Sequence, residues 1–147
     1  MGVVRIQQNG DIPMHFLDKK PGFDPKVIWK LARIIFSHKI DIINAHHFMP
    51  LVYAYPACRI TRCRLTHTEH SIFDTQHDRP FRKRMAGFMY RTTDAVIGVS
   101  PEVSEVFKDT YRVPAQRLHT IVNGVDLQKF KPAEKDPHLL SQLNISD

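Results

Sequence analysis

The chain has 147 residues, a formal charge of +6, 42% hydrophobic and 24% charged residues. That is the length of about one domain and the composition of a globular chain. No apolar run reaches the roughly 18 residues that a membrane span needs, and Met1 to Gly10 lacks the apolar core of a signal peptide, so the expected location is the cytoplasm.

The stretch VVRIQQNGDIPMHFL fits a hairpin around Asn9 and Gly10, or a helix tail closed by Gly10 before a strand at Ile12 to Leu17. The second reading is preferred. From Pro21 onward helical and strand patterns alternate, the signature of an α/β chain with a parallel sheet. FDPKVIWKLARIIFSHK offers Asp24 as N-cap and Pro25 at the first helical position, and repeats Val27, Ile28, Leu31, Ile34 and Ile35 at helical spacing. IDIINA, Ile40 to Ala45, is a short β-branched run suited to a strand covered on both sides, and it ends at His46 and His47.

A second helix is expected over MPLVYAYPACRI, kinked or ended by Pro56, and a second strand near CRLTHT. RPFRKRMAGFMYR carries Arg79, Arg82, Lys83, Arg84 and Arg91, no acidic residue, and Phe81, Phe88 and Tyr90 between them. It reads as a helix with a basic face, either simply solvated or placed against anionic lipid or phosphate. DAVIGVS, Asp94 to Ser100, is a further buried strand, and Ser100 followed by Pro101 opens a helix. LHTIVNGVD gives one more short strand and an Asn-Gly turn with Gly124 taking a positive φ. The chain thus divides into a domain at 1–132 and a polar linker at 133–147.

Cys58, Cys63, His67 and His70 lie close together in the sequence. Their spacing is unlike a finger-type zinc site, and His67 and His70 fall on opposite faces of a strand. No metal is expected, and the thiols are expected to be reduced and buried. The chain also lacks a Walker A or Gly-x-Gly-x-x-Gly loop.

Ligands of open parallel sheets bind beyond the C-terminal strand ends. Those ends carry Asn44, His46 and His47; Glu69, His70 and Ser71; Ser100; and Asn123, Gly124 and Asp126. A neutral imidazole there can donate or accept a hydrogen bond at pH 7, which suits a transfer reaction.

The ordered set PGFDPKVIWKLARII, KIDIINAHH, THTEHS, DAVIGVSPEVSE and IVNGVDLQKFKP resembles the N-terminal domain of the family 4 glycosyltransferases. The resemblance implies an incomplete GT-B fold: a partial Rossmann-like, doubly wound, mostly parallel sheet. It implies retaining transfer of a sugar from a nucleotide-sugar donor to a carbohydrate or lipid-linked acceptor, with the nucleotide-sugar as co-substrate and no other cofactor. In that pattern His70 is the catalytic Thr-x-His histidine and His46 the second histidine of a His-x-His motif. Asn44 stands where the first histidine belongs, and His47 has no assigned role. Asn44, His46, Glu69, Ser100, Asn123 and Gly124 become substrate-binding candidates.

The family's opening strand, its Gly-rich loop and its Glu-x7-Glu donor signature have no counterpart in the sequence. The chain is therefore expected to be a fragment that supplies the acceptor-side wall, silent without a complementing donor-domain chain. In the doubly wound order 3-2-1-4-5-6, loss of strands 1 and 2 separates strand 3 from strands 4 to 6, so the sheet is expected either to close over the gap or to keep exposed backbone edges that invite pairing with another chain. The competing reading is a non-catalytic basic module that binds an anionic membrane surface or nucleic acid through Arg79 to Arg91, nucleic acid being the less expected partner because no nucleic-acid motif is present; the chain is expected in the cytoplasm or peripheral to the inner face of the membrane.

Overall fold

Four strands pair in chain order in the computed structural model, which describes residues 13–72, 79–132 and 137–142. They are β1 (Ile42–His46), β2 (Arg64–Glu69), β3 (Ala95–Gly98) and β4 (Leu118–Thr120), parallel throughout in the order β1-β2-β3-β4. The helices are α1 (Lys26–Ser37), α2 (Phe48–Thr61), α3 (Pro80–Thr92), α4 (Pro101–Asp109) and a short α5 (Pro137–Gln142).

The pairing register sets Ala45 beside His67 and His67 beside Val96. Because side chains alternate along a strand, these residues and Leu65 share one face. That face carries the core: Ala45, Leu65 and Val96 cluster with Ala54 and Ala57 of α2, Met89 and Tyr90 of α3, and Phe107 of α4. His67 lies in the same layer, its ring 5.2 Å from Tyr90 and 5.9 Å from Phe107. α2, α3 and α4 pack on this side. On the opposite face Ile42, Asn44, His119 and Ile121 are exposed.

Of the two outcomes expected for the sheet, a gap is not found among the described residues. Strands on one side of a doubly wound sheet follow one another in chain order, and these four are arranged that way, so none is left apart. The expected strand at Ile12 to Leu17 is also corrected, since residues 13–17 form no strand and Met14 and Phe16 are exposed. Ile12 and the Asn9–Gly10 alternatives lie outside the described residues. Pro56 does not end α2: it sits inside a helix that runs on to Thr61. The missing N–H and ring clash cost about 3 kcal/mol. Burial of Leu51, Ala54, Ala57 and Cys58 on both sides of it holds the helix together.

Ser100 caps its helix as the sequence suggests, whereas α1 starts one residue later than expected, with Pro25 and not Asp24 at the N-cap position. The Asp24 Oδ1 accepts from Lys26 N at 3.1 Å, and the Ser100 Oγ accepts from Val103 N at 3.3 Å. Of the two free cysteines, Cys58 is buried and Cys63 half-buried. Burial pushes the Cys58 thiol up to about 12, making it a packing group with no thiolate at neutral pH.

Candidate functional site

Parallel pairing brings the C-terminal ends of β1 and β2 to one edge, with His46 beside Thr68. Asn44, His46 and Thr68 alternate onto the open face, and a chain of hydrogen bonds runs through them. The Thr68 Oγ1 donates to Asn44 Oδ1 at 3.0 Å. That contact turns the amide nitrogen of Asn44 toward His46, where Nδ2 lies 3.2 Å from Nε2. An amide nitrogen only donates, so His46 Nε2 is the acceptor and a neutral His46 carries its proton on Nδ1. His46 Nδ1 lies 2.8 Å from His70 Nε2 and donates to it. A neutral His70 is thereby left with Nδ1–H, a donor aimed away from the relay. Asn44, which departs from the two-histidine pattern, fixes the tautomer of both rings.

His47 is the residue whose role the sequence does not reveal. It sits at the N-cap of α2 with φ 65° and ψ 162°, a region that side-chain-bearing residues rarely occupy and that costs about 1–3 kcal/mol. Its N–H donates to Thr68 O at 3.0 Å, its Nδ1 lies 3.0 Å from Glu69 Oε1, and its ring lies 5.1 Å from that of His70. A strained backbone held by polar contacts beside exposed imidazoles marks a constructed position.

Glu69 is placed differently from the expectation of a substrate contact, for its side chain is fully buried. The Oε1 accepts from the backbone N–H of His70 at 2.9 Å and of Ser71 at 3.4 Å, as well as meeting His47. One carboxylate thus ties the turn after β2 to the start of α2. Below it lies His67, fully buried, with Nδ1 donating to Ala45 O at 3.0 Å and Nε2 3.7 Å from Glu69 Oε2. Burial, which excludes the charged ring, holds the His67 pKa down to about 4; the nearby histidines push the same way, against the Ala45 bond. It stays neutral at pH 7.

The remaining candidates lie on other segments and take no part in the hydrogen bonds of this network. Ser100 is committed to capping α4. Asn123 and Gly124 are exposed in a stretch without regular secondary structure after β4. The Asn-Gly turn is corrected: Gly22 is the described glycine with positive φ, and Gly124 is not in that region. The turn comes later, where Asp126 Oδ1 accepts from Gln128 N at 3.0 Å and Lys129 N at 3.2 Å. The structure therefore unites Asn44, His46, His47, Glu69 and His70, and leaves Ser100, Asn123 and Gly124 outside that cluster.

The model of glycosyltransferase family 4 matches residues 4–129. The chain belongs to this family. No curated protein matches it by sequence. Among solved structures it is similar to Alr3699/HepE of Anabaena in complex with UDP-glucose, at 25% identity and TM-score 0.68, over 80% of this chain and 32% of that one. The same protein with UDP gives 26% identity and TM-score 0.67, over 81% and 32%. A glycosyltransferase of Rickettsia africae ESF-5 gives 25% identity and TM-score 0.57, over 90% and 34%. The chain spans about a third of the length of these proteins. As a family 4 glycosyltransferase segment with a parallel α/β sheet, it corresponds to part of a GT-B fold.

Proposed function

We propose that this chain forms the acceptor-side wall of a retaining glycosyltransferase, which moves a sugar from a nucleotide-sugar to a carbohydrate or lipid-linked acceptor. The observation that carries the proposal is the relay from Thr68 through Asn44 and His46, which ends in a His70 Nδ1–H at the C-terminal edge of the sheet. That donor suits a sugar hydroxyl or an oxygen that gains negative charge during transfer; a correctly placed group of this kind contributes roughly 10²–10⁴ in rate. In this reading His70 is catalytic, Asn44 and His46 set its tautomer, and Glu69 positions the turn that carries it. The nucleotide-sugar is a co-substrate, with no metal or other cofactor, and the HepE complexes with UDP-glucose and UDP support that choice of donor class. Residues 1–132 form the wall and 133–147 lead toward the donor side, which comes from a second domain in the same or a complementing chain. The reaction takes place in the cytoplasm.

The test is a transfer assay with UDP-, GDP- and ADP-sugars, run on the chain alone and with the donor-binding domain supplied. Transfer only in the presence of that domain, with the product's anomeric proton signal matching the donor's configuration, is the expected result. An inverted product, or no transfer in the complete system, would refute the proposal.

A further inference from the structure

The side of α3 that faces away from the core is aromatic. Its core side buries Ala86, Gly87, Met89 and Tyr90. Phe81 and Phe88 lie two turns apart on the opposite side, 80% and 55% exposed. Helical spacing places Arg82 on one flank of this stripe and Arg84 on the other, and the helix holds no acidic residue. A simply solvated helix would present charge on its outer face; this one presents phenyl rings with cations beside them, the pattern of a helix lying in a membrane interface.

The stripe continues into a cleft of about 450 Å³ between α3 and α2, whose lining includes Phe23, Phe48, Met49 and Phe81, with Arg79 and Arg82 among its polar groups. Phe23 and Met49 are 63% and 46% exposed. The Arg82 guanidinium lies 5.2 Å from the Phe48 ring centre and 3.9 Å from Met49 Sδ, so a cation stands directly over the apolar floor of the cleft. α2 and α3 both begin at the sheet edge that carries His46 and His70, so this surface adjoins the histidine cluster.

We propose that the outer face of α3 and its cleft against α2 dock the chain on an anionic lipid bilayer. Phe81 and Met49 enter the acyl boundary, and Arg84 on one flank and Arg82 on the other meet headgroup phosphates. Charge complementarity selects this occupant: cations flank the apolar stripe, and the chain carries a net +6. A recessed apolar cleft fits acyl chains better than the flat stacking of nucleic-acid bases. Docking here goes beyond the transfer reading and stands without it.

Cosedimentation of the full chain with phosphatidylcholine vesicles, and with equimolar phosphatidylcholine and phosphatidylglycerol vesicles, tests the proposal. Binding is expected only to the mixed vesicles, and added salt should weaken it. Arg84→Gln should lower partitioning about fivefold, and Phe81→Ser tenfold or more. Both positions are exposed, and unchanged far-ultraviolet circular dichroism would confirm that the variants fold. Equal binding to both vesicle types, no binding, or indifference to Phe81→Ser would overturn it. Retention on duplex DNA that Arg84→Gln weakens and Phe81→Ser does not, without vesicle binding, would overturn it in favour of nucleic acid.

Discussion

Acid should destabilise this fold through His67. The ring is fully buried between the sheet and the aromatic layer of Tyr90 and Phe107, and its pKa falls from 6.5 to about 4 because burial excludes the charged form. Above the unfolded value both states hold a neutral ring, and the site makes no pH-dependent contribution. As pH falls between about 6.5 and 4, the unfolded chain takes up a proton that the folded chain refuses, so stability declines. The full loss is about 3 kcal/mol, of which about 2 kcal/mol falls between pH 7 and pH 5. That is a large share of the roughly 5–15 kcal/mol that holds a domain together. The assay is urea unfolding followed by circular dichroism at both pH values, on the wild type and on His67→Gln, whose amide can still donate to the Ala45 carbonyl. The wild type should lose about 2 kcal/mol more than the variant across this interval. Equal pH dependence in the two proteins would refute the argument, as would an NMR titration showing His67 protonated near pH 6.5.

Three further outcomes follow from the geometry. Asn44→Asp replaces a donor by an acceptor, so the His46–His70 relay should reverse or collapse; the ¹⁵N shifts of His70 should move away from the Nδ1–H tautomer, while Asn44→Gln should change them less. His47→Gly relieves the backbone at φ 65°, whereas His47→Ala keeps the strain, so the glycine variant should be more stable by about 1–2 kcal/mol in denaturant unfolding. At Gly98 a Cβ would lie 2.9 Å from the Ser104 backbone nitrogen, so Gly98→Ala should push α4 off the sheet and cost about 1–3 kcal/mol, read as a lower urea midpoint.

The parallel α/β architecture was legible because strong local signals coincide with the core. The Ser100–Pro101 start and the short apolar runs of β1 and β3 depend on neighbours in sequence and form as expected, but β1 is covered on one face only, with Ile42 and Asn44 exposed on the other. Elements that depend on tertiary partners were harder. Pro56 signals a break by itself, yet packing on both sides of it overrides that signal. The strand expected near Ile12 to Leu17 has an apolar pattern, but residues 13–17 join none of the four described strands. At the site, the strand-end rule located Asn44, His46 and His70 correctly on one edge. It could not tell an exposed polar residue from a buried one, so Glu69 looked like a contact residue, although its carboxylate anchors the turn from below. The role of His47 was hidden because a positive φ at a non-glycine residue leaves no compositional trace. Asn123 and Gly124 resembled a tight turn through dipeptide identity alone, and the chain makes its turn at Asp126.

The most direct test of the histidine edge is the rate of sugar transfer by His70→Ala, measured with the donor-binding domain present and nucleotide-sugar saturating. The account predicts that the rate falls by about a hundredfold or more while the protein still folds. A variant that transfers sugar at the wild-type rate would contradict it, and would reduce the relay from Thr68 to His70 to a structural feature of the strand ends.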